Sequence, residues 1–201
     1  MSVRITGGEF RGRVLQAPTG THVRPTGDRN RQAIFNMLNA PRWLDDLMPG
    51  TDFDLDGAVV LDGFAGTGAL GVEALSRGAA YAVFFEKDRA VAGLCRNNLE
   101  SLKITDRTSL YVRDSTKPGT RPADVPPATL VFLDPPYRQG LVPRALGSLA
   151  AGGWMAPGAI AVLETENTVP ADELVQSLSG VRILDERAYG LTLFRFVQYC
   201  G

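Results

Sequence analysis

Ala58-Val59-Val60-Leu61-Asp62-Gly63-Phe64-Ala65-Gly66-Thr67-Gly68-Ala69-Leu70-Gly71 runs without a break from an apolar strand, through a glycine turn, into a helix. Residues 58–62 are a continuous apolar run closed by a carboxylate, as expected of a strand covered on both faces. Residues 68–77 read as a helix stopped by Gly78. The rhythm repeats outward. Tyr81-Ala82-Val83-Phe84-Phe85-Glu86 is a second strand, followed by a helix over 89–102, a short strand over 109–113 and a fourth over 129–133. A helix over 139–150, a fifth strand over 159–164 and a helix over 171–178 come next. Residues 181–188 and 191–199 flank Tyr189-Gly190 as a closing hairpin. Strands alternating with helices predict an α/β fold with a mostly parallel sheet, into which the hairpin sets an antiparallel strand.

Ligands of such sheets bind beyond the carboxyl ends of the strands, near the point where strand order reverses. After strand one, residues 66–71 match Gly-x-Gly-x-x-Gly. Any tight strand-to-helix turn can give that string, but here it lies between a strand and a helix, the context it needs. Glu86 stands twenty residues after Gly66, at the end of strand two, where a carboxylate can hold both hydroxyls of a ribose. A nucleoside-bearing cofactor is expected. A nicotinamide dinucleotide would set its pyrophosphate on the helix N-terminus, where Asp62 opposes an anion. The same carboxylate suits the cationic amino-acid end of S-adenosylmethionine. Asp114, just after strand three, can accept from an adenine amino group.

Leu133-Asp134-Pro135-Pro136-Tyr137 follows strand four. Two prolines fix a stiff, extended turn, because each locks its own φ and restricts the residue before it. Asp134 offers a carboxylate, Pro135 a carbonyl and Tyr137 a flat face. This set suits an exocyclic amino group on a planar base, whose lone pair is delocalised into the ring. Two acceptors on its N–H groups turn the lone pair outward, the aromatic face stacks the base, and the carboxylate stabilises the charge that grows during transfer. A strand terminator would explain the prolines but not the residues flanking them.

The rest of the chain narrows the classes. With 201 residues, 44% hydrophobic and 21% charged, it is the size and balance of one globular domain. No window approaches a membrane span and the start has no apolar signal core, so a cytoplasmic protein is expected. His22 is the only histidine, and Cys95 and Cys200 are the only cysteines, expected as free thiols. A Cys/His zinc site and a Ser-His-Asp mechanism are both disfavoured. Net charge is −1, unevenly spread. Residues 1–42 hold seven arginines against Glu9 and Asp28, a net +5, and the remainder carries −6. A basic arm on an acidic body points to an anionic partner met at one end, or to a solvated arm with none. The arm reads as short extended pieces and turns, then a helix over 29–39 capped by Asp28 and ended by Pro41. Expected organisation is an extension over 1–42, a linker over 43–57 and a catalytic domain over 58–201. Residues 1–20 are expected to be removable without loss of the fold, unless Ile5, Val14 and Leu15 pack on the core.

Asp134-Pro135-Pro136-Tyr137 resembles the signature shared by DNA adenine-N6, RNA guanine-N2 and protein glutamine-N5 methyltransferases. A wider pattern is narrower in meaning. Arg4-Ile5-Thr6-Gly7-Gly8 with Arg11-Gly12-Arg13, then Arg24-Pro25-Thr26, Asp28-Arg29-Asn30-Arg31 and Phe35-Asn36, and the run Phe64 through Ala79, are similar to the bacterial 16S ribosomal RNA guanine-N2 methyltransferase family that modifies guanine 966. The resemblance spans nearly the whole chain. It implies a Rossmann-like class I methyltransferase fold with a seven-stranded sheet and a small N-terminal extension, using S-adenosylmethionine and no metal. It implies cofactor-binding roles for Asp62, Gly63, Phe64, Ala65, Gly66, Thr67 and Gly68, for Glu86 with Lys87, and for Asp114 with Ser115. Catalytic roles fall on Asp134, Pro135, Pro136 and Tyr137. RNA-binding roles fall on Arg4, Arg11, Arg13, Arg24, Thr26, Arg29 and Arg31. The implied partner is 16S ribosomal RNA within a small-subunit particle, met by a monomer. Asn30 and Gln32 depart from the family pattern within the arm. Two alternatives remain: the same chemistry on DNA adenine or a protein glutamine, and a non-catalytic RNA-binding protein. Against DNA, the chain has no room for a second recognition domain. Against a protein substrate, the arginine-dense arm has no use, and against a mere binder, Asp134 and Tyr137 are intact.

Overall fold

A computed structural model of the chain describes residues 3–18, 27–39, 53–136, 140–166, 180–189 and 192–201. Arg24, Thr26, His22, Tyr137 and the helix expected over 171–178 lie outside them, as does most of the expected linker.

Seven strands form one sheet: β3 (Val59–Asp62), β4 (Tyr81–Phe85), β5 (Thr108–Tyr111), β6 (Ala128–Leu133), β7 (Met155–Glu166), β8 (Val181–Tyr189) and β9 (Thr192–Tyr199). Their order is β5-β4-β3-β6-β7-β9-β8. The first five are parallel, and β9 runs antiparallel to both β7 and β8. The expected α/β fold with a closing antiparallel hairpin is therefore what forms. Chain order reverses between β3 and β6, so their carboxyl ends flank a crevice.

Alternation along the strands sorts side chains into two cores. Val60, Phe84, Phe132 and Val162 face one layer, with Leu75 of α2 (Ala69–Ser76) and Leu99 of α3 (Arg89–Leu102). Leu61, Val83, Val131 and Leu163 face the other, with Val142, Ala145, Leu146 and Leu149 of α4 (Leu141–Ala151). The last four stand at the helical spacing of one apolar stripe. Gly71 is needed for this packing, since a Cβ there would sit 2.3 Å from the Phe84 ring.

The N-terminal extension is not a free arm. β1 (Val3–Arg4) and β2 (Val14–Leu15) pair antiparallel, and α1 (Asp28–Leu38) follows. Val3, Ile5, Leu15, Ile34 and Phe35 are buried in the same core as Val60 and Phe84. Deleting residues 1–20 would strip that core, so the expectation that they are separable does not hold. The helix cap also differs. Gly27 occupies the cap position, and the Asp28 carboxylate instead pairs with Arg31 at 2.8 Å.

A buried carboxylate fastens the extension down. Glu73 of α2 accepts from the Thr6 backbone N–H at 2.8 Å, from the Thr6 hydroxyl at 2.7 Å, from Arg77 Nε at 2.9 Å and from Arg31 Nε at 3.3 Å. Arg31 is wholly buried and also donates to the Arg4 carbonyl. The RNA-binding role expected of Arg31 is therefore corrected: its buried guanidinium is committed to buried Glu73 and to Asp28 at the surface, and does not face a phosphate. Arg4, Arg11, Arg13 and Arg29 are exposed.

Candidate active site

At the carboxyl ends of β3 to β7 lies a cavity of about 690 Å³. It is lined by the loop after β3 (Asp62, Gly63, Phe64, Ala65, Gly66, Thr67), by Glu86 and Lys87 after β4, and by Asp114 and Ser115 after β5. Asp134, Pro135 and Pro136 after β6 line it as well. Residues expected from sequence to serve the cofactor and those expected to serve the reacting amine thus share one space. Among the described residues Gly68 is the exception: it does not line the cavity, but turns the chain into α2 with φ +83°, where a Cβ would lie 3.0 Å from Cys95 Sγ.

The glycine loop is held from both sides. The Gly63 N–H donates to the Phe132 carbonyl at 2.9 Å, and the Ala65 N–H to the Phe85 carbonyl at 3.0 Å. The Ser115 hydroxyl donates to the Gly63 carbonyl. Glu86 accepts from the Gly66 N–H at 3.0 Å and from the Asp88 N–H at 2.8 Å. It therefore shapes the loop as well as facing the cavity. Asn98 Nδ2 donates to the Thr67 carbonyl at 2.9 Å, while its Oδ1 accepts from the Gln16 N–H at 2.8 Å. The extension and the glycine loop thus meet on one side chain.

Asp62 is buried, and its Oδ2 accepts from the Gly71 N–H at 3.0 Å. Burial, and then the nearby Glu86 charge, push its carboxyl up to about 7, against the pull of the Gly71 hydrogen bond. Asp114 behaves oppositely. Burial works against its charge, but hydrogen bonds from the Thr116 N–H and hydroxyl, with Lys87 and Lys117 nearby, outweigh it and hold the carboxyl below its ordinary value. One wall thus holds a carboxyl poised to ionise when a cation arrives, and another a carboxylate charged throughout.

Arg113, Glu164 and Thr192, which the sequence did not single out, and Asn30, noted there only as a departure within the arm, also line the cavity. Glu164 follows Leu163, the last β7 residue paired with β6, and it is also the last residue of the fifth strand expected from sequence, so its position at a strand end was legible. Thr192 begins β9, and because β9 is antiparallel its start lies at this edge. Of the expected RNA-binding residues that are described, Arg4, Arg11, Arg13, Arg29 and Arg31, none lines the cavity.

The donor set tests the cofactor. Asp62, Glu86, Asp114, Asp134 and Glu164 give the lining a strong acidic bias against Lys87 and Arg113. A pyrophosphate would be repelled there. A molecule offering an ammonium, ribose hydroxyls and an adenine amino group meets acceptors at each place, so S-adenosylmethionine fits. Among the described residues no three His, Cys, Asp or Glu side chains are grouped to hold a metal ion. None of the described helices is long and apolar enough to cross a membrane.

Residues 3–198 match the family described as conserved hypothetical protein 95. The ribosomal RNA small subunit methyltransferase D of Escherichia coli is 38% identical over 194 residues, covering 94% of this chain and 88% of that protein. Its Haemophilus influenzae counterpart is 34% identical over 197 residues, covering 98% and 93%. Among solved structures, a candidate methyltransferase of Escherichia coli, yhhF, superposes with a TM-score of 0.76 at 33% identity, covering 100% of this chain and 99% of that one. With the match running from β1 into β9, the chain belongs to the conserved hypothetical protein 95 family, alongside the ribosomal RNA small subunit methyltransferases D.

Proposed function

We propose that this protein transfers a methyl group from S-adenosylmethionine to the exocyclic N2 of a guanine in 16S ribosomal RNA, guanine 966 by resemblance to the family. The observation that carries the proposal is the shared cavity: Asp62, Glu86 and Asp114 on one side of the β3–β6 crevice, and Asp134-Pro135-Pro136 on the other. The relatives named as ribosomal RNA small subunit methyltransferases support the substrate class.

S-adenosylmethionine, when bound, supplies a methyl group on a sulfonium. Asp62 would hold its ammonium and Glu86 its ribose hydroxyls, with Lys87 and Ser115 lining the same cavity, and Asp114 would accept from the adenine amino group. Asp134 and the Pro135 carbonyl accept the two N–H groups of the target amine, which aims the nitrogen lone pair at the methyl carbon. As the methyl carbon bonds to that nitrogen its bond to sulfur would break, leaving a neutral thioether, and the fixed Asp134 carboxylate would stabilise the positive charge on the nitrogen and accept the proton it sheds. Placement of the two reactants in line supplies the rest. Tyr137 is assigned to stack the base. The exposed Arg4, Arg11, Arg13 and Arg29, with Arg24 and Thr26, would hold phosphates outside the cavity. A target base must leave its stack to reach this depth, which suits a loop nucleotide.

Transfer of a tritiated methyl group to naked 16S RNA, assembled small subunits, duplex DNA and release-factor protein tests the proposal. Label is expected in the RNA or the subunit. Label in DNA or in a glutamine side chain would contradict it.

A further inference from the structure

The Asp-Pro-Pro-Tyr signature is shared by enzymes that act on adenine and on guanine, so it cannot by itself choose between them. We infer that Glu164 makes the choice here, accepting the N1–H of the target guanine beside Asp134. The inference rests on the guanine-N2 reaction proposed above.

Strand register brings the two carboxylates together. β6 and β7 are parallel, with Phe132 opposite Val162 and Leu133 opposite Leu163. Asp134 directly follows the end of β6, and Glu164 is the next residue of β7. Neighbouring strands lie about 4.8 Å apart, so two acceptors stand side by side at the sheet's carboxyl edge. Both line the main cavity, and both line a smaller recess with Ile34 of α1, Leu70 of α2 and Phe194 of β9. Glu164 is 9% exposed, so what solvent it meets is the cavity's. Its backbone is fixed between two strands, paired with Phe194 on the far side. It already has a partner within the protein, but an ionised carboxylate accepts at about four positions, which leaves room for an incoming N–H.

The bases differ at this point. Guanine carries N–H donors on two adjacent atoms, N1 and N2. With Asp134 and Pro135 accepting from N2, the neighbouring N1–H falls toward the next strand, where Glu164 stands. Adenine could offer its N6 amine to Asp134 equally well, but its N1 is a lone pair. That lone pair would face the Glu164 carboxylate, leaving two buried acceptors opposed and no donor between them. A site built to receive an N–H rejects an analogue lacking it far more strongly than a site judging shape alone.

The probe is 2-aminopurine, which keeps the reacting N2 amine, replaces the N1–H by a lone pair and lacks the O6 carbonyl, so the change in preference between wild type and variant, for which the O6 difference is common, isolates N1. An RNA substrate is made with guanine or 2-aminopurine at the target position. kcat/KM is measured for each at saturating S-adenosylmethionine, with the wild-type protein and with Glu164→Gln. The amide of Gln can donate to a lone pair at N1, so the variant removes the preference for a donor without changing size. The wild type is expected to favour guanine by about 10²-fold. The variant is expected to narrow that ratio at least about tenfold, by losing activity on guanine and keeping or gaining it on 2-aminopurine. Equal wild-type activity on both substrates would overturn the inference without any variant. So would an unchanged ratio in Glu164→Gln, whatever its absolute rate. If the wild type methylates no guanine in RNA, the proposed reaction itself falls and the inference with it.

Discussion

Asp62→Asn is expected to make the protein more stable at alkaline pH and, at the same time, a poorer binder of S-adenosylmethionine. In the unfolded chain the Asp62 carboxyl titrates near its ordinary value of 3.8, and burial raises it to about 7 in the fold. Between those values the folded protein holds a proton that the unfolded chain has released, so stability falls as pH rises across that window. Above pH 7 the full cost is present, about 4 kcal/mol as an upper limit for a shift of roughly three units. Between pH 5 and 8, about 2–3 kcal/mol of that develops. Asn keeps an oxygen for the Gly71 N–H but carries no charge, so it removes the slope. For a chain of this length the variant should gain about 5–10 °C in Tm relative to wild type between pH 5 and 8. Thermal melting of both proteins across that range reads the difference directly. In parallel, calorimetry should show wild-type affinity for S-adenosylmethionine falling by up to about tenfold per pH unit below 7, because the ammonium needs the ionised carboxyl. The variant should bind more weakly above pH 7 and show no such dependence. Melting curves that stay parallel from pH 5 to 8 would refute the assignment of a buried, proton-holding Asp62.

Glu73→Gln removes the countercharge of Arg77 and one of the two that Arg31 has, leaving Asp28 as the other, and breaking such a network costs about 3–5 kcal/mol, or on the order of 10 °C in Tm; a change under about 2 °C would show that the extension is held by its apolar residues alone. Replacing Arg11, Arg13 and Arg29 together by Ala should flatten the salt dependence of RNA binding by about two log units per log unit of salt, at about 0.7 per phosphate contact. Arg31→Ala should lower Tm instead, and a flattened slope with unchanged Tm would contradict its structural role. Asp134→Ala should lower kcat by about 10²–10³ while calorimetry shows S-adenosylmethionine bound nearly as before; equal loss of cofactor binding would reassign the residue.

The sheet was legible because its inner strands are covered on both faces and so read as apolar runs ending in charged residues. The same strand ends carry Asp62, Glu86 and Asp134, which is why most of the cavity was legible too. The extension was not. β1 and β2 have two residues each, too few for any periodicity, and Ile5 and Leu15 are buried only because the sheet's own face receives them. Arg31 looked like its exposed neighbours Arg29 and Arg11, since the carboxylate that buries it, Glu73, lies 42 residues away and meets it only in the fold. Glu164 stood at a legible strand end, but its role was hidden for a related reason. Its meaning comes from standing next to Asp134 in register, and a single strand does not reveal its neighbour. Asp28 read as a helix cap on composition, but the Arg31 side chain one turn on takes its carboxylate.

The proposed product is one guanine of 16S ribosomal RNA carrying a methyl group on N2. Its most direct test is mass mapping of methylated nucleosides in that RNA from cells lacking this protein, beside cells carrying it and cells carrying Asp134→Ala. One N2-methylguanosine, at guanine 966, is predicted to disappear in the deletion and in the Asp134→Ala strain, and to return with the wild-type protein. An unchanged set of methylated guanines would contradict the claim, as would loss of a methyl group from any other base.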